Sequence, residues 1–92
     1  MDALEGPAAV VTLVTSPGCH LCQDARYALE ELQHERALDL RIVEGNSTEG
    51  LSLVARHRPA LLPLVLVAGE FFSAGRLPRG KLRRALARGA GR

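Results

Sequence analysis

The sequence of 92 residues is poor in aromatic residues and in cysteine. It contains no tryptophan, one tyrosine, two phenylalanines and two cysteines. A chain of this size is expected to form one domain and to bury roughly 60 to 65% of its unfolded surface. A real core is therefore possible, but a large internal ligand cavity is excluded. Two cysteines are also too few for the multi-disulfide scaffold of a small secreted protein.

The sequence also lacks a long apolar segment and a basic N-terminal segment. Its longest uninterrupted apolar stretch, Ala60–Ala68, contains a proline and is far shorter than the roughly 20 residues of a membrane-spanning helix. Residues 1–25 contain three acids and no lysine or arginine, unlike the start of a secretory signal peptide. We therefore expect a cytoplasmic protein, in which paired cysteines are more often catalytic or metal-binding than structural.

Charge is unevenly distributed, although the formal net charge is only +2. Residues 1–70 hold all ten acids and five arginines, a charge of −5, whereas residues 71–92 hold seven basic residues and no acid, a charge of +7. Such a segment can attract nucleic acid, an acidic protein surface or an anionic cosubstrate. The helical spacing of Leu82, Ala85 and Leu86 favours instead a helix with one core-facing side and one solvated basic side. No aromatic residue interleaves the basic ones, so we expect no nucleic-acid partner.

Apolar patterns predict four β-strands. Val10–Thr15 and Leu64–Val67 are apolar on both alternating faces, which is typical of interior strands covered on both sides. Leu38–Ile42 alternates apolar with charged residues, as a half-buried strand does. After a tight turn, Phe71–Ser73 is expected to pair with the preceding strand in an antiparallel hairpin.

Three helices are predicted between and after these strands. The first begins at about His20 and runs for some four turns, with a buried stripe formed by Cys22, Ala25, Leu29 and Leu32. The second runs from about Thr48 to His57 after a cap at Ser47, and its inward-facing residues are expected to be Leu51, Val54 and Ala55. The third begins at Pro78, where the missing N–H costs least.

The predicted elements follow the order βαβ-αββα in one domain, residues 1–92. The folded part covers about residues 10–88. Residues 1–7 and 89–92 are predicted to be loose ends.

The two cysteines, Cys19 and Cys22, lie where the first predicted strand ends and the first helix begins. At a helix N-terminus, unpaired backbone N–H groups and the helix dipole stabilise an anion. The thiolate is the nucleophilic form of cysteine, so lowering the pKa of Cys19 from its ordinary value of about 8.5 would favour attack on a disulfide. Cys22, one turn further along, is expected to be shielded by the helix and to act as the resolving thiol.

The segments Ser16–Cys22 and Leu62–Val65, together with the short arm Phe71–Arg76, resemble the small bacterial glutaredoxin-like family of the thioredoxin-fold superfamily. The resemblance spans about residues 10–88. It implies a thioredoxin-like α/β fold with a four-stranded mixed sheet and three helices. It also implies a thiol–disulfide oxidoreductase that uses its C-x-x-C dithiol to reduce or exchange disulfides in proteins or small thiols.

The resemblance further implies a substrate-binding set beside the cysteines, formed by His20, Leu21, Leu62, Pro63 and Arg76. Pro63 matches the cis-proline that precedes the third strand in the wider fold, and the backbone of Leu62 would pair with an extended substrate. From the residues alone, an ordinary proline at the start of a strand is the favoured interpretation of Pro63. Arg76 could hold a carboxylate of glutathione.

Several positions depart from the larger branches of this superfamily. Thioredoxins carry tryptophan where this chain has Gly18 and an acid where it has Leu13, so the buried proton acceptor of that branch is absent. Glutathione-dependent glutaredoxins usually carry lysine where this chain has Ser16. We expect no bound cofactor, with glutathione or another small thiol as cosubstrate. The expected partners are a disulfide-bearing protein or small-thiol substrate and a reductase or small thiol as reductant. We expect the protein to be a monomer that does not associate with membranes.

His20 has two interpretations. A protonated imidazole beside Cys19 would favour the thiolate and make the pair more oxidising. Alternatively, His20 is an exposed side chain with little effect on its neighbour.

Two other functions are compatible with the same residues. A structural zinc site wants four ligands, and this chain supplies two thiolates with no second C-x-x-C, so zinc or an iron–sulfur cluster would have to be shared between two copies. The third possibility is a thioredoxin-fold binding module without redox turnover, since fold alone does not determine function.

Overall fold

The helices and strands predicted from the sequence are all present, in the predicted order. The computed structural model describes residues 8–90, with side chains described as far as Arg88. Its elements are β1 (Ala9–Thr15), α1 (His20–Gln33), β2 (Leu38–Glu44), α2 (Thr48–His57), β3 (Leu64–Val67), β4 (Glu70–Ala74) and α3 (Arg79–Ala90). The α/β class with three helices and a four-stranded mixed sheet is therefore confirmed.

The strands form one sheet in the order β2-β1-β3-β4. β1 pairs with β2 in parallel and with β3 in antiparallel fashion, and β3 pairs with β4 as the predicted antiparallel hairpin. The central strands β1 and β3 are those that the sequence predicts to be interior. Their residues Val11–Thr15 and Leu64–Leu66 are all buried, which explains why both faces of these segments are apolar or uncharged.

Helices cover both faces of the sheet. On one face, α1 and α3 pack on the central strands in a core that contains Val11, Leu13, Ala25, Ala28, Leu29, Leu32, Val65, Leu82 and Leu86. On the other face, α2 covers a smaller core of Val14, Val43, Leu64 and Leu66, against which Leu53, Val54 and Leu62 pack. The stripe predicted for α1 and the core-facing side predicted for α3 are thus found. Within residues 8–90, none of the helices is both long enough and apolar enough to cross a membrane.

The side of α2 that faces the second core differs from the sequence prediction. Leu51 is 59% exposed and Ala55 is exposed, whereas Gly50 is buried, so α2 is rotated about its axis relative to the prediction. Gly50 lies so close to the end of β2 that a Cβ built on it would be 1.9 Å from the Glu44 carbonyl oxygen. This backbone-to-backbone approach is open only to glycine, and it determines which side of α2 faces the sheet.

The burial along β2 departs from the simple alternation that the sequence predicts. Ile42, predicted to face inward, is 36% exposed, while its neighbour Val43 is buried on the opposite face. The reason is that α2 begins directly after β2 and covers the end of this edge strand, including Val43.

The ends of α3 are shifted by a few residues from the prediction. The helix begins at Arg79, and the carbonyl oxygen of Pro78 accepts the N–H of Leu82 at 2.9 Å. At the other end, the helical backbone continues to Ala90, into the segment 89–92 that the sequence predicts to be loose. The predicted loose segment 1–7 and residues 91–92 lie outside the described residues.

An ion pair joins α3 to the loop after α1. Arg83 donates a hydrogen bond to the Glu35 carboxylate, and both side chains are about half exposed. This hydrogen bond holds the pKa of Glu35 below its ordinary value and raises the pKa of Arg83 above its own. Part of the basic C-terminal segment therefore serves the packing of the helix.

The close approach at Gly50 leads to a stability prediction. We expect Gly50→Ala to destabilise the protein by roughly 1–3 kcal/mol, the cost of inserting a methyl group where packing leaves no room. Gly80→Ala is the matched control, because a Cβ there meets only the end of the Arg84 side chain at 3.6 Å. It should stabilise α3 by about 0.5 kcal/mol. Urea unfolding measures both changes, and a Gly50→Ala variant as stable as the parent would contradict the packing described for α2.

Candidate functional site

The two cysteines lie at the start of α1, in the turn that follows β1. They form a disulfide with their Cα atoms 5.1 Å apart. Gly18 precedes them with a φ of +70°, a left-handed conformation that glycine adopts without strain. The chain can therefore turn from β1 directly into the helix, which places Cys19 at the helix N-cap.

The N-cap position brings the Cys19 sulfur into contact with the free end of the helix. Its Sγ accepts a hydrogen bond from the backbone N–H of Cys22 at 3.1 Å. The first turn of α1 contains no acidic side chain that would oppose negative charge at the sulfur. In the reduced protein, the same N–H and the positive end of the helix dipole would favour a thiolate on Cys19.

The two sulfurs are unequally accessible. Cys19 is partly exposed, whereas Cys22 is 3% exposed beneath the first turn of the helix. An external disulfide can reach Cys19 but not Cys22. The geometry therefore suits the predicted division into an attacking and a resolving thiol.

The loop before β3 lies directly beside Cys19. The Leu62 carbonyl oxygen is 3.9 Å from the Cys19 Sγ, and the Leu62–Pro63 peptide bond is cis. Pro63 is buried and Leu62 is partly buried. The structure thus places Leu62 and Pro63, two of the five substrate-binding residues that the resemblance implies, beside Cys19.

Two glycines position this loop. The Pro63 carbonyl accepts the N–H of Gly75 at 2.9 Å, and Gly75 has a φ of +81° that favours glycine. On the other side, a Cβ built on Gly45 would be 3.2 Å from the Cδ1 atom of Leu62. The loop is therefore held closely on both sides, and the backbone of Leu62 has a defined position next to the sulfur.

A groove of about 290 Å³ runs from the start of α1 to the loop before α3, and we call it the arginine groove. It is lined by Leu21, Asp24, Ala25, Arg76, Leu77 and Arg79. Leu21 and Arg76, both predicted site residues, thus share one surface. Sequence reasoning missed Asp24 and Arg79. Asp24 follows Leu21 by three residues and so lies on the same helix face, a spacing that could have indicated it.

A second groove, of about 260 Å³, opens on the Cys22 side of the disulfide, and we call it the resolving-side groove. Its lining residues are Thr15, Ser16, Pro17, Gly18, Cys22, Gln23, Arg26 and Glu44. Arg26 follows Cys22 by four residues on the same helix face. Glu44 has no such local signal, because its place here depends on the pairing of β1 with β2.

The remaining predicted residue, His20, is the first residue of α1 and is exposed. Its proposed effect on Cys19 stays a prediction. Across residues 8–90, no three or more His, Cys, Asp or Glu side chains are grouped so that they could hold a metal ion.

Comparison with known proteins identifies the fold. No protein-family model matches the chain, and no curated protein matches its sequence. Among solved structures, the solution structure of an uncharacterized thioredoxin-like protein from Clostridium perfringens superposes with a TM-score of 0.71. The match covers 88% of this chain and 70% of that one, at 11% sequence identity. The chain therefore has a thioredoxin-like fold, and its cysteine pair at disulfide distance fits a redox role.

The unequal accessibility of the sulfurs leads to a prediction for the reduced protein. Iodoacetamide should alkylate Cys19 faster than Cys22 by about an order of magnitude, the effect that one pKa unit has on the thiolate fraction. Mass spectrometry of peptides from a time course measures the two rates. Equal rates in the folded protein, or faster alkylation of Cys22, would contradict the roles assigned from the geometry. Alkylation in denaturant is the control, since both thiols should then react alike.

Proposed function

We propose that this protein is a glutaredoxin-like thiol–disulfide oxidoreductase. The observation that carries the proposal is the polarised pair: Cys19, at a helix N-terminus, accepts the N–H of Cys22 and is the more exposed sulfur. A cysteine in such a position is activated as a nucleophile, because the helix N-terminus stabilises its thiolate. The thioredoxin-like fold supports the redox assignment.

The reaction consists of two exchanges. The Cys19 thiolate attacks one sulfur of the substrate disulfide, a mixed disulfide forms, and the other substrate sulfur leaves as a thiolate that takes a proton. Cys22, deprotonated, then attacks the Cys19 sulfur. This forms the Cys19–Cys22 disulfide and releases the second substrate thiol, so that the substrate gains two electrons and the protein loses two. A reductase or a small thiol restores the dithiol.

The loop that contains Leu62 and Pro63 supports binding of an extended substrate. The Leu62 carbonyl lies 3.9 Å from the attacking sulfur, where an extended peptide can pair with the backbone. Because Gly45 and Gly75 hold the loop closely, little ordering of the protein is required on binding. A disulfide-bearing protein segment is therefore one proposed substrate.

The arginine groove supports a small anionic thiol as cosubstrate. Two arginines, Arg76 and Arg79, line this groove together with a single acid, Asp24, and the apolar side chain of Leu21. Guanidinium groups match the geometry of a carboxylate. Glutathione or a similar thiol would bind there transiently, as a cosubstrate and not as a resident cofactor. We propose that the protein works as a cytoplasmic monomer.

Replacing each cysteine separately tests the proposed function. Cys19→Ser should abolish reduction of a disulfide substrate, because the attacking sulfur is lost. Cys22→Ser should accumulate a mixed disulfide with the substrate, visible as an added mass that dithiothreitol removes. Full activity of Cys19→Ser would defeat the proposal.

The same preparation separates the alternative functions. Stoichiometric zinc or iron in protein purified without chelator would favour the shared metal site. A metal-free protein with no measurable thiol–disulfide exchange would favour the binding module.

The cosubstrate prediction concerns Arg76. With a mixed disulfide of glutathione as substrate, Arg76→Ala should raise KM about fivefold with little change in kcat, the loss of ~1 kcal/mol of ground-state binding. Arg88→Ala, at another exposed arginine near the far end of α3, should leave KM unchanged. An Arg76→Ala variant that is impaired only with a protein disulfide, or with neither substrate, would show that this groove does not select the small thiol.

A further inference from the structure

Resolution of the mixed disulfide requires Cys22 to lose its proton. This thiol is 3% exposed, and burial in apolar surroundings disfavours the thiolate. The position on β1 that carries an acid in thioredoxins is Leu13 here, and Leu13 is fully buried in the core. The proton of Cys22 must therefore leave by another route.

The resolving-side groove provides that route. It is the opening on which Cys22, Gln23 and Glu44 lie together. Among its lining residues, the hydroxyl groups, the Gln23 amide and the Arg26 guanidinium are not proton acceptors near neutral pH. The carboxylate of Glu44 is the one Brønsted base that the described residues place in this groove.

The sheet register explains why Glu44 lies on the same side of the sheet as Cys22. Glu44 is the last residue of β2 and lies opposite Thr15, the last residue of β1. Thr15 shares a face with Leu13, the face on which α1 packs, because side chains alternate along a strand. Glu44 therefore projects toward the side of the sheet that carries α1 and Cys22.

The Glu44 carboxylate is available for proton transfer. Within residues 8–90, it forms no ion pair and no hydrogen bond, and only its backbone carbonyl is engaged, by Ser47. Arg26, the other charged residue of the groove, is bound instead to Glu30, with its Nε 3.1 Å from the carboxylate. A positive charge near Cys22 favours the thiolate, and a free carboxylate can take up the proton that is released.

We propose that Glu44 is the general base for Cys22 in the second exchange, a role that rests on the proposed function. The carboxylate takes the Cys22 proton, directly or through one water in the groove. The Cys22 sulfur then forms a bond to the Cys19 sulfur, the bond from Cys19 to the substrate sulfur breaks, and the substrate leaves as a thiolate. Glu44, now protonated, passes its proton to that thiolate or to solvent.

The experiment uses dithiobis(nitrobenzoic acid), a chromogenic disulfide whose thiol product absorbs visible light. Mixed rapidly with the reduced protein, it releases a first equivalent when Cys19 attacks and a second when Cys22 resolves the mixed disulfide. Glu44→Gln should leave the first phase unchanged and slow the second by about 100-fold, the effect typical of a lost general base. Asp39→Asn, an exposed acid on the same strand, is the matched control and should change neither phase.

The direction of the change separates base catalysis from a charge effect. Removing a nearby negative charge lowers the pKa of a thiol, so a purely electrostatic role predicts a faster second phase in Glu44→Gln. An unchanged or faster second phase would therefore overturn the proposal. A slower second phase in Glu44→Gln supports the proposal if added acetate partly restores its rate. Acetate should not change the rate of the second phase in the parent. Glu44→Asp, which keeps the carboxylate, controls for disturbance at the end of β2 and should keep the second phase within about tenfold of the parent.

The same traces distinguish a failure of the proposed oxidoreductase function from a failure of the role of Glu44. If the parent protein releases neither equivalent, the proposed oxidoreductase function fails. If the parent shows both phases and Glu44→Gln does not slow the second, only the role of Glu44 fails.

Discussion

The antiparallel pairing of β1 with β3 determines where the site forms. Val14 lies opposite Leu64, so the chain leaves β1 toward Cys19 at the same edge at which it enters β3 through Leu62 and Pro63. The parallel strand β2 ends at this edge too, with Glu44 opposite the end of β1. The cysteine pair, the loop beside Cys19 and the acid that shares a groove with Cys22 therefore all lie at one edge of the sheet.

Helix placement turns this edge into two different surfaces. α1 begins at this edge, and its first turn separates residues Cys19 and Cys22, so that Cys19 lies at the open end and Cys22 lies beneath the helix. The arginine groove lies on one side of that turn and the resolving-side groove on the other. The basic C-terminal segment is divided in the same way, because Arg83 pairs with Glu35 for packing while Arg76 and Arg79 face the arginine groove.

Much of the fold could be predicted because its signals are local. The two-faced apolar strands, the stripe along α1 and the turn before Cys19 each depend on residues close together in the chain. The rotation of α2 could not be predicted, since it follows from the contact between the backbones at Gly50 and Glu44, which belong to different elements. The spacing of apolar residues indicates that one side of a helix is buried. When that spacing is weak, as in α2, contacts with the adjacent strand determine which side it is.

The sequence by itself determined the element order, the interior strands and the position of Cys19 at a helix start, where backbone N–H groups are unpaired whatever the tertiary structure. The tertiary structure alone decided that Arg79 joins Leu21 in one groove, that the Leu62 carbonyl lies beside Cys19, and that Glu44 shares a groove with Cys22. The physical reason is that periodicity and capping act within one element, whereas these contacts depend on strand register and helix packing, which side chains distant in sequence settle together.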